Sequence, residues 1–65
     1  MFDKNLKKLR EKQGMSQAEL GLLVGVSQVA VTKYERGDAL PNAKVAVRIA
    51  RVLHTTVEQL VTVEL

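Results

Sequence analysis

Residues 16–37 read SQAELGLLVGVSQVAVTKYERG. Two helix-start signals stand close together in this stretch, Ser16 and Ser27, each followed by Gln. Ser16-Gln17-Ala18-Glu19 is a capping box: the serine oxygen can accept from the Glu19 backbone N–H while the glutamate reaches back to the Ser16 N–H. The spacing predicts a helix running to about Val24. Gly25 follows, where a positive φ is easily reached. Ser27 caps the next helix, which ends near Arg36 with Gly37 as its stop signal.

Two short helices joined through a glycine-containing turn cross at a steep angle, and that arrangement is the helix-turn-helix. The first helix needs a tiny residue where the second crosses it, and Gly21 supplies one. Leu20, Val24, Val26, Val31 and Tyr34 fall at the offsets that anchor the pair. With Gln28 set at zero and ~100° per residue, Thr32, Arg36, Val29 and Lys33 fall near ~40°, ~80°, ~100° and ~140°. Ala30, Val31, Tyr34 and Glu35 occupy the opposite arc. One face is therefore Gln, Val, Thr, Lys and Arg, and the other packs. The polar face has the chemistry of a base reader. Gln pairs with adenine N6/N7, Lys donates to guanine O6/N7, and Val and the Thr methyl fit a thymine methyl. A face of this composition is also what any solvated helix carries, and the helix-turn-helix context favours the reader. The helix N-termini at Gln17 and Gln28 present free N–H groups suited to phosphate.

Outward from this core, residues 3–13 read as a helix with Phe2, Leu6 and Leu9 on one face, Asp3 as N-cap and Gly14 as the residue after its end. Asp38-Ala39-Leu40-Pro41 is loop. Asn42 can cap a fourth helix carrying Val45, Ile49, Ala50, Val52 and Leu53. Thr55 or Thr56 can open a fifth with Val57, Leu60 and Val61. The last residues, 61–65, alternate in polarity, as a short strand or a loose end would. The expected fold is all-α, five short helices in one domain spanning 1–65.

Composition bounds the function. The chain has 65 residues, no Cys and one His, His54, so disulfides and a zinc site are excluded. Its net charge of +3 permits nucleic acid as a partner without demanding it. No apolar run approaches the ~20 residues of a membrane span. Lys4, Lys7, Lys8 and Arg10 interrupt any signal-peptide pattern, which points to the cytoplasm. An enzyme is not expected: a thiol is absent, no Ser–His–carboxylate grouping can be argued, and the glycines are spaced as helix stops. No cofactor or metal is expected. Val57, Val61, Val63 and Leu65 are many apolar residues for the end of so small a domain. They read as a dimer interface, with capping of the chain's own core as the alternative.

The segments LKKLREKQGMSQAELGLLVGVSQVAVTKYERG, the following LP and RIARVLHTTVEQL together resemble the phage-repressor, Cro-like (XRE-type) helix-turn-helix domains, over residues 5–61. The resemblance implies a five-helix DNA-binding domain acting as a homodimer on a palindromic operator, most simply as a repressor. By position, it implies that Gln28, Val29, Thr32 and Lys33 face bases. Gln17 would contact a phosphate and buttress Gln28, and Ser27, Arg36, Asn42 and Lys44 would contact phosphate. Arg10 and Glu35 match an ion pair between the first and third helices, with a phosphate contact or a plain surface charge as the alternatives for Arg10. Two departures stand out. The loop after the third helix, often basic in relatives, carries Asp38. Leu22 and Leu23 occupy positions that are usually polar, so they offer a surface for a protein partner unless one is partly buried and the other tolerated. A protein-interaction or antitoxin-like module on the same fold is the rival reading. The initiating Met and the short length point to a complete regulator.

Overall fold

Side-chain caps open four of the five helices of the computed structural model, which describes residues 1–65. The helices are α1 (Phe2–Lys12), α2 (Gln17–Val24), α3 (Gln28–Arg36), α4 (Ala43–Val52) and α5 (Val57–Thr62). Ser16 forms both halves of the capping box: its Oγ accepts from Glu19 N, and its N–H donates to Glu19 Oε1, each at 3.0 Å. Ser27 Oγ accepts from Ala30 N, Asn42 Oδ1 from Val45 N and Thr56 Oγ1 from Gln59 N. These bonds satisfy N–H groups that a helix start otherwise leaves without partners.

α1 starts differently from the sequence expectation. Met1 is its N-cap and makes no side-chain cap bond, while Asp3 lies in the first turn. The physical reason is Phe2. One residue of extra helix puts Phe2 in phase with Leu6, and both are buried in the core. Asp3 still suits its place, since a carboxylate in the first turn complements the helix dipole.

The core is one cluster drawn from all five helices: Phe2, Leu6, Leu20, Val24, Val31, Ile49, Ala50, Leu53 and Leu60. α3 packs against both α1 and α2, α4 against α2, and α5 against α1 and α4. Gly21 fixes the crossing of α2 with the corner before α3. A Cβ at that position would lie 2.7 Å from the Val26 carbonyl oxygen. Gly25, with φ +86°, makes the turn itself. His54 takes the same left-handed region after α4, at φ +57°.

The C-terminal residues form neither a strand nor a loose end. Val61 and Thr62 complete α5, and Val63 turns to an extended backbone. Asn5, only 2% exposed, then binds the tail to α1. Its Nδ2 donates to the Leu60 carbonyl at 2.9 Å and the Val63 carbonyl at 2.6 Å. Its Oδ1 accepts from the Leu65 N–H at 2.9 Å. Lys8 Nζ adds a bond to the Leu65 backbone oxygen, also at 2.9 Å. Alternating polarity alone could not specify this, because the partner groups are backbone atoms.

Candidate nucleic-acid interface

α3 is held from behind by a chain of polar side chains running through three helices. Arg10 of α1 donates from Nε to Glu35 Oε2 at 2.6 Å and from Nη2 to Glu35 Oε1 at 3.1 Å. Its Nη1 donates to the Met15 carbonyl at 2.6 Å. The two side chains are 10% and 3% exposed, so this pair sits almost entirely out of water. The hydrogen bond to Glu35 raises the Arg10 pKa above its ordinary value despite the opposing effect of burial. Such a fork-to-fork pair fixes orientation as well as distance.

Gln17 of α2 extends the chain. Its Nε2 donates to Glu35 Oε1 at 3.1 Å. Its Oε1 lies 2.9 Å from the Thr32 hydroxyl, which is also 3.0 Å from the Gln28 carbonyl. The resemblance implied that Gln17 buttresses Gln28. Here Gln17 meets α3 at the Thr32 hydroxyl, whose one proton is within reach of both Gln17 Oε1 and the Gln28 carbonyl. Every buried side-chain nitrogen and oxygen in the molecule has a hydrogen-bond partner.

The opposite face of α3 is open. Gln28, Val29, Lys33 and Arg36 are exposed, Val29 at 64%, while Thr32 is half-buried. Ser27 and Asn42 carry caps, yet each keeps donors for a further acceptor. The Ser27 oxygen accepts from Ala30, leaving its own proton free, and Asn42 uses only Oδ1, leaving its amide NH2. Lys44 is exposed in the first turn of α4, a helix with no acidic residue. Arg36 Nε lies 3.3 Å from Asp38 Oδ2 in an exposed pair. Any anion that takes up Arg36 must compete with that carboxylate.

The remaining expected positions divide. Leu22 is 84% exposed and Leu23 59%, so both project from α2. Val61 and Val63 are exposed at 48% and 46%. Val57 packs against the core and Leu65 is half-buried, so the four C-terminal apolar residues do not form one open patch. The one surface hollow is lined by Met1, Asp3, Lys4, Asn5 and Glu64 and takes no residue from α3. No three His, Cys, Asp or Glu side chains come together. No helix is long and apolar enough to cross a membrane. Sequence reasoning missed the roles of Asn5 and of the Thr32 hydroxyl; neither residue type signals an internal bond by its spacing.

The helix-turn-helix family model matches residues 6–60. An HTH-type transcriptional regulatory protein of Pyrococcus abyssi is 45% identical over 49 residues, covering 75% of this chain and 16% of its own length. An uncharacterized HTH-type transcriptional regulator of Bacillus subtilis, YgzD, is 34% identical over 59 residues, covering 91% of this chain and 89% of its own. The P22 c2 repressor, solved in complex with a synthetic operator, superposes with a TM-score of 0.95 at 28% identity, over 98% of this chain and 97% of that one. The chain spans about a sixth of the Pyrococcus relative.

Proposed function

The chain belongs to the helix-turn-helix family, and from that membership we propose that it binds double-stranded DNA sequence-specifically and regulates transcription, with residues 1–65 acting as one DNA-binding domain. The observation that carries this reading is the two-sided character of α3. Its inner face is locked to α1 and α2 through Arg10, Glu35 and Gln17, and its outer face holds Gln28, Val29 and Lys33 in solvent. A rigid helix with an outward amide, ammonium and methyl group suits the major groove, which α3 enters N-terminus first. Gln28, Val29, Thr32 and Lys33 face bases. Ser27, Asn42, Lys44, Arg36 and the α2 N-terminus at Gln17 take phosphates, which position the helix without reading sequence.

The repressor acts as a homodimer on a palindromic operator. Two copies set their α3 helices about 34 Å apart in successive major grooves. Val61 and Val63 supply the exposed part of the contact between copies, with Leu65 and Val57 behind them. Occupying a promoter in this way blocks transcription without any chemical step.

Selection of bound sites from a random duplex pool at two salt concentrations tests the reading. An inverted repeat with half-sites about one helical turn apart is expected. Of the phosphate contacts, Lys44 and Arg36 of each copy carry charge, so with about four cationic contacts per dimer log K falls against log salt with a slope of about −4. Gln28→Ala should relax one operator position; a uniform loss across all sequences would make Gln28 a phosphate contact. Salt-sensitive binding with no enriched sequence would favour the second reading, an interaction module. The exposed Leu22 and Leu23 support that alternative.

A further inference from the structure

The base-facing set contains one residue whose hydrogen-bonding group is already committed. Thr32 has a single hydroxyl proton, and two acceptors lie within reach of it: Gln17 Oε1 at 2.9 Å and the Gln28 carbonyl at 3.0 Å. Gln17 cannot turn its amide round to donate instead, because its Nε2 is held by Glu35 Oε1 at 3.1 Å, and Glu35 is held by Arg10. The proton of Thr32 is therefore spent inside the protein whichever acceptor takes it. The hydroxyl oxygen faces α2 and the helix's own backbone. Rotation about χ1 that aimed it at a base would carry the proton away from both acceptors. The other branch at Cβ is the methyl group. Val29 lies one turn earlier on the same face, a spacing that brings side chains i and i+3 into contact.

We infer that Thr32 reads DNA through its methyl group and not through its hydroxyl, forming with Val29 an apolar step on α3 that selects thymine by its C5-methyl. The inference rests on the proposed entry of α3 into the major groove. It divides the reading face by chemistry. Gln28 and Lys33 offer hydrogen bonds to purine edges, and Val29 and Thr32 offer only methyl contacts. Gln17 acts through Thr32 as a positioning residue. The arrangement asks each half-site for thymine beside a purine read by hydrogen bonds.

Uracil tests this, since it keeps every hydrogen-bonding group of thymine and lacks only the methyl. Each thymine of the selected operator is replaced by deoxyuridine in turn, and binding is measured with the full chain, with Thr32→Val and with Thr32→Ser. Far-UV dichroism and a thermal melt confirm that each variant is folded. For the unaltered chain, at least one replacement should weaken binding about fourfold to tenfold. Thr32→Val keeps the methyl but gives up the hydroxyl contact with Gln17, so its overall affinity should fall while its uracil sensitivity at the same position persists. Thr32→Ser keeps the hydroxyl, and it should bind thymine and uracil equally at one position. Sensitivity that survives in both variants belongs to Val29. Loss of operator preference in Thr32→Val with retention in Thr32→Ser would overturn the inference, because the hydroxyl would then be the reader. So would a uracil profile that does not change with residue 32. A chain that selects no sequence at all fails earlier: it refutes base reading by α3 and this inference with it, and the random-pool experiment alone reveals it.

Discussion

Replacing Arg10 by methionine removes the cation from a pair whose carboxylate partner is only 3% exposed. Glu35 then loses contacts at 2.6 and 3.1 Å and keeps a single donor, Gln17 Nε2. The Met15 carbonyl loses its bond as well. Breaking one side of a buried, hydrogen-bonded pair costs ~3–5 kcal/mol, mostly as the penalty of a stranded charge. At ~0.05–0.15 kcal/mol per residue, a chain of this length has only ~3–10 kcal/mol to lose. Arg10→Met should therefore leave the domain close to its unfolding midpoint at room temperature. Arg10→Met combined with Glu35→Leu removes the stranded charge. It leaves the Met15 carbonyl and the Gln17 amide short of partners, at ~0.5–1.5 kcal/mol for each lost bond. The double variant should thus be more stable than Arg10→Met alone, by about 2 kcal/mol. Urea unfolding followed by far-UV dichroism on both single variants and the double closes the cycle. An Arg10→Met variant within ~1 kcal/mol of the parent would refute the account of a desolvated pair, and so would strictly additive losses. The double variant should nevertheless bind DNA more weakly than the parent while folded, because Gln17 no longer has Glu35 to hold it.

Three further outcomes are expected. Gly21→Ala gains ~1 kcal/mol of helix propensity but places a Cβ 2.7 Å from a backbone oxygen. Overpacking of ~1–3 kcal/mol or more should win and lower the melting temperature, and an unchanged or higher melting point would refute the crossing argument. Asn5→Ala strands the Leu60 and Val63 carbonyls and the Leu65 N–H, so amide exchange at Leu65 should become unprotected; a protected Leu65 would mean the tail is held by other contacts. Glu19 ionises below its ordinary value of 4.5 because the Ser16 backbone N–H binds its carboxylate. The folded state thus takes up that proton less readily than the unfolded one, and stability falls as pH drops from about 4.5 through the lowered value. Glu19→Gln should flatten that part of a stability-against-pH curve, and an unaltered curve would remove Glu19 from the explanation.

The features legible in the sequence are those set by short-range chemistry. Ser16 with Glu19, Ser27, Asn42 and Gly25 act within a turn of their own positions, so spacing alone places them. Gly21 was legible because a helix corner requires a residue without a side chain at a known offset. Val61 was legible two ways, in the fifth helix with Val57 and Leu60 and in the alternation 61–65 that suits a strand, and it lies in α5. Asn5 was not legible at all. Its partners lie 55 to 60 residues away and are backbone groups, so no residue type marks them. On the reading face, side-chain identity gave the chemistry available to Thr32. Only the positions of Gln17 and the Gln28 carbonyl show which part of that chemistry is already used.

The Asn5 bonds bring the two chain ends to one place, where Met1 and Glu64 border the same hollow. In topological terms the domain is a ring that happens to be cut there. A short flexible linker could join residue 65 to residue 1 while new ends are opened in the loop at Leu40, which is 77% exposed. Such a permutant would keep α1, α2 and α3 in covalent order and leave the Arg10–Glu35–Gln17–Thr32 chain whole. The order of the helices along the chain is thus a separate matter from their arrangement in space, and the arrangement alone sets how α3 is presented.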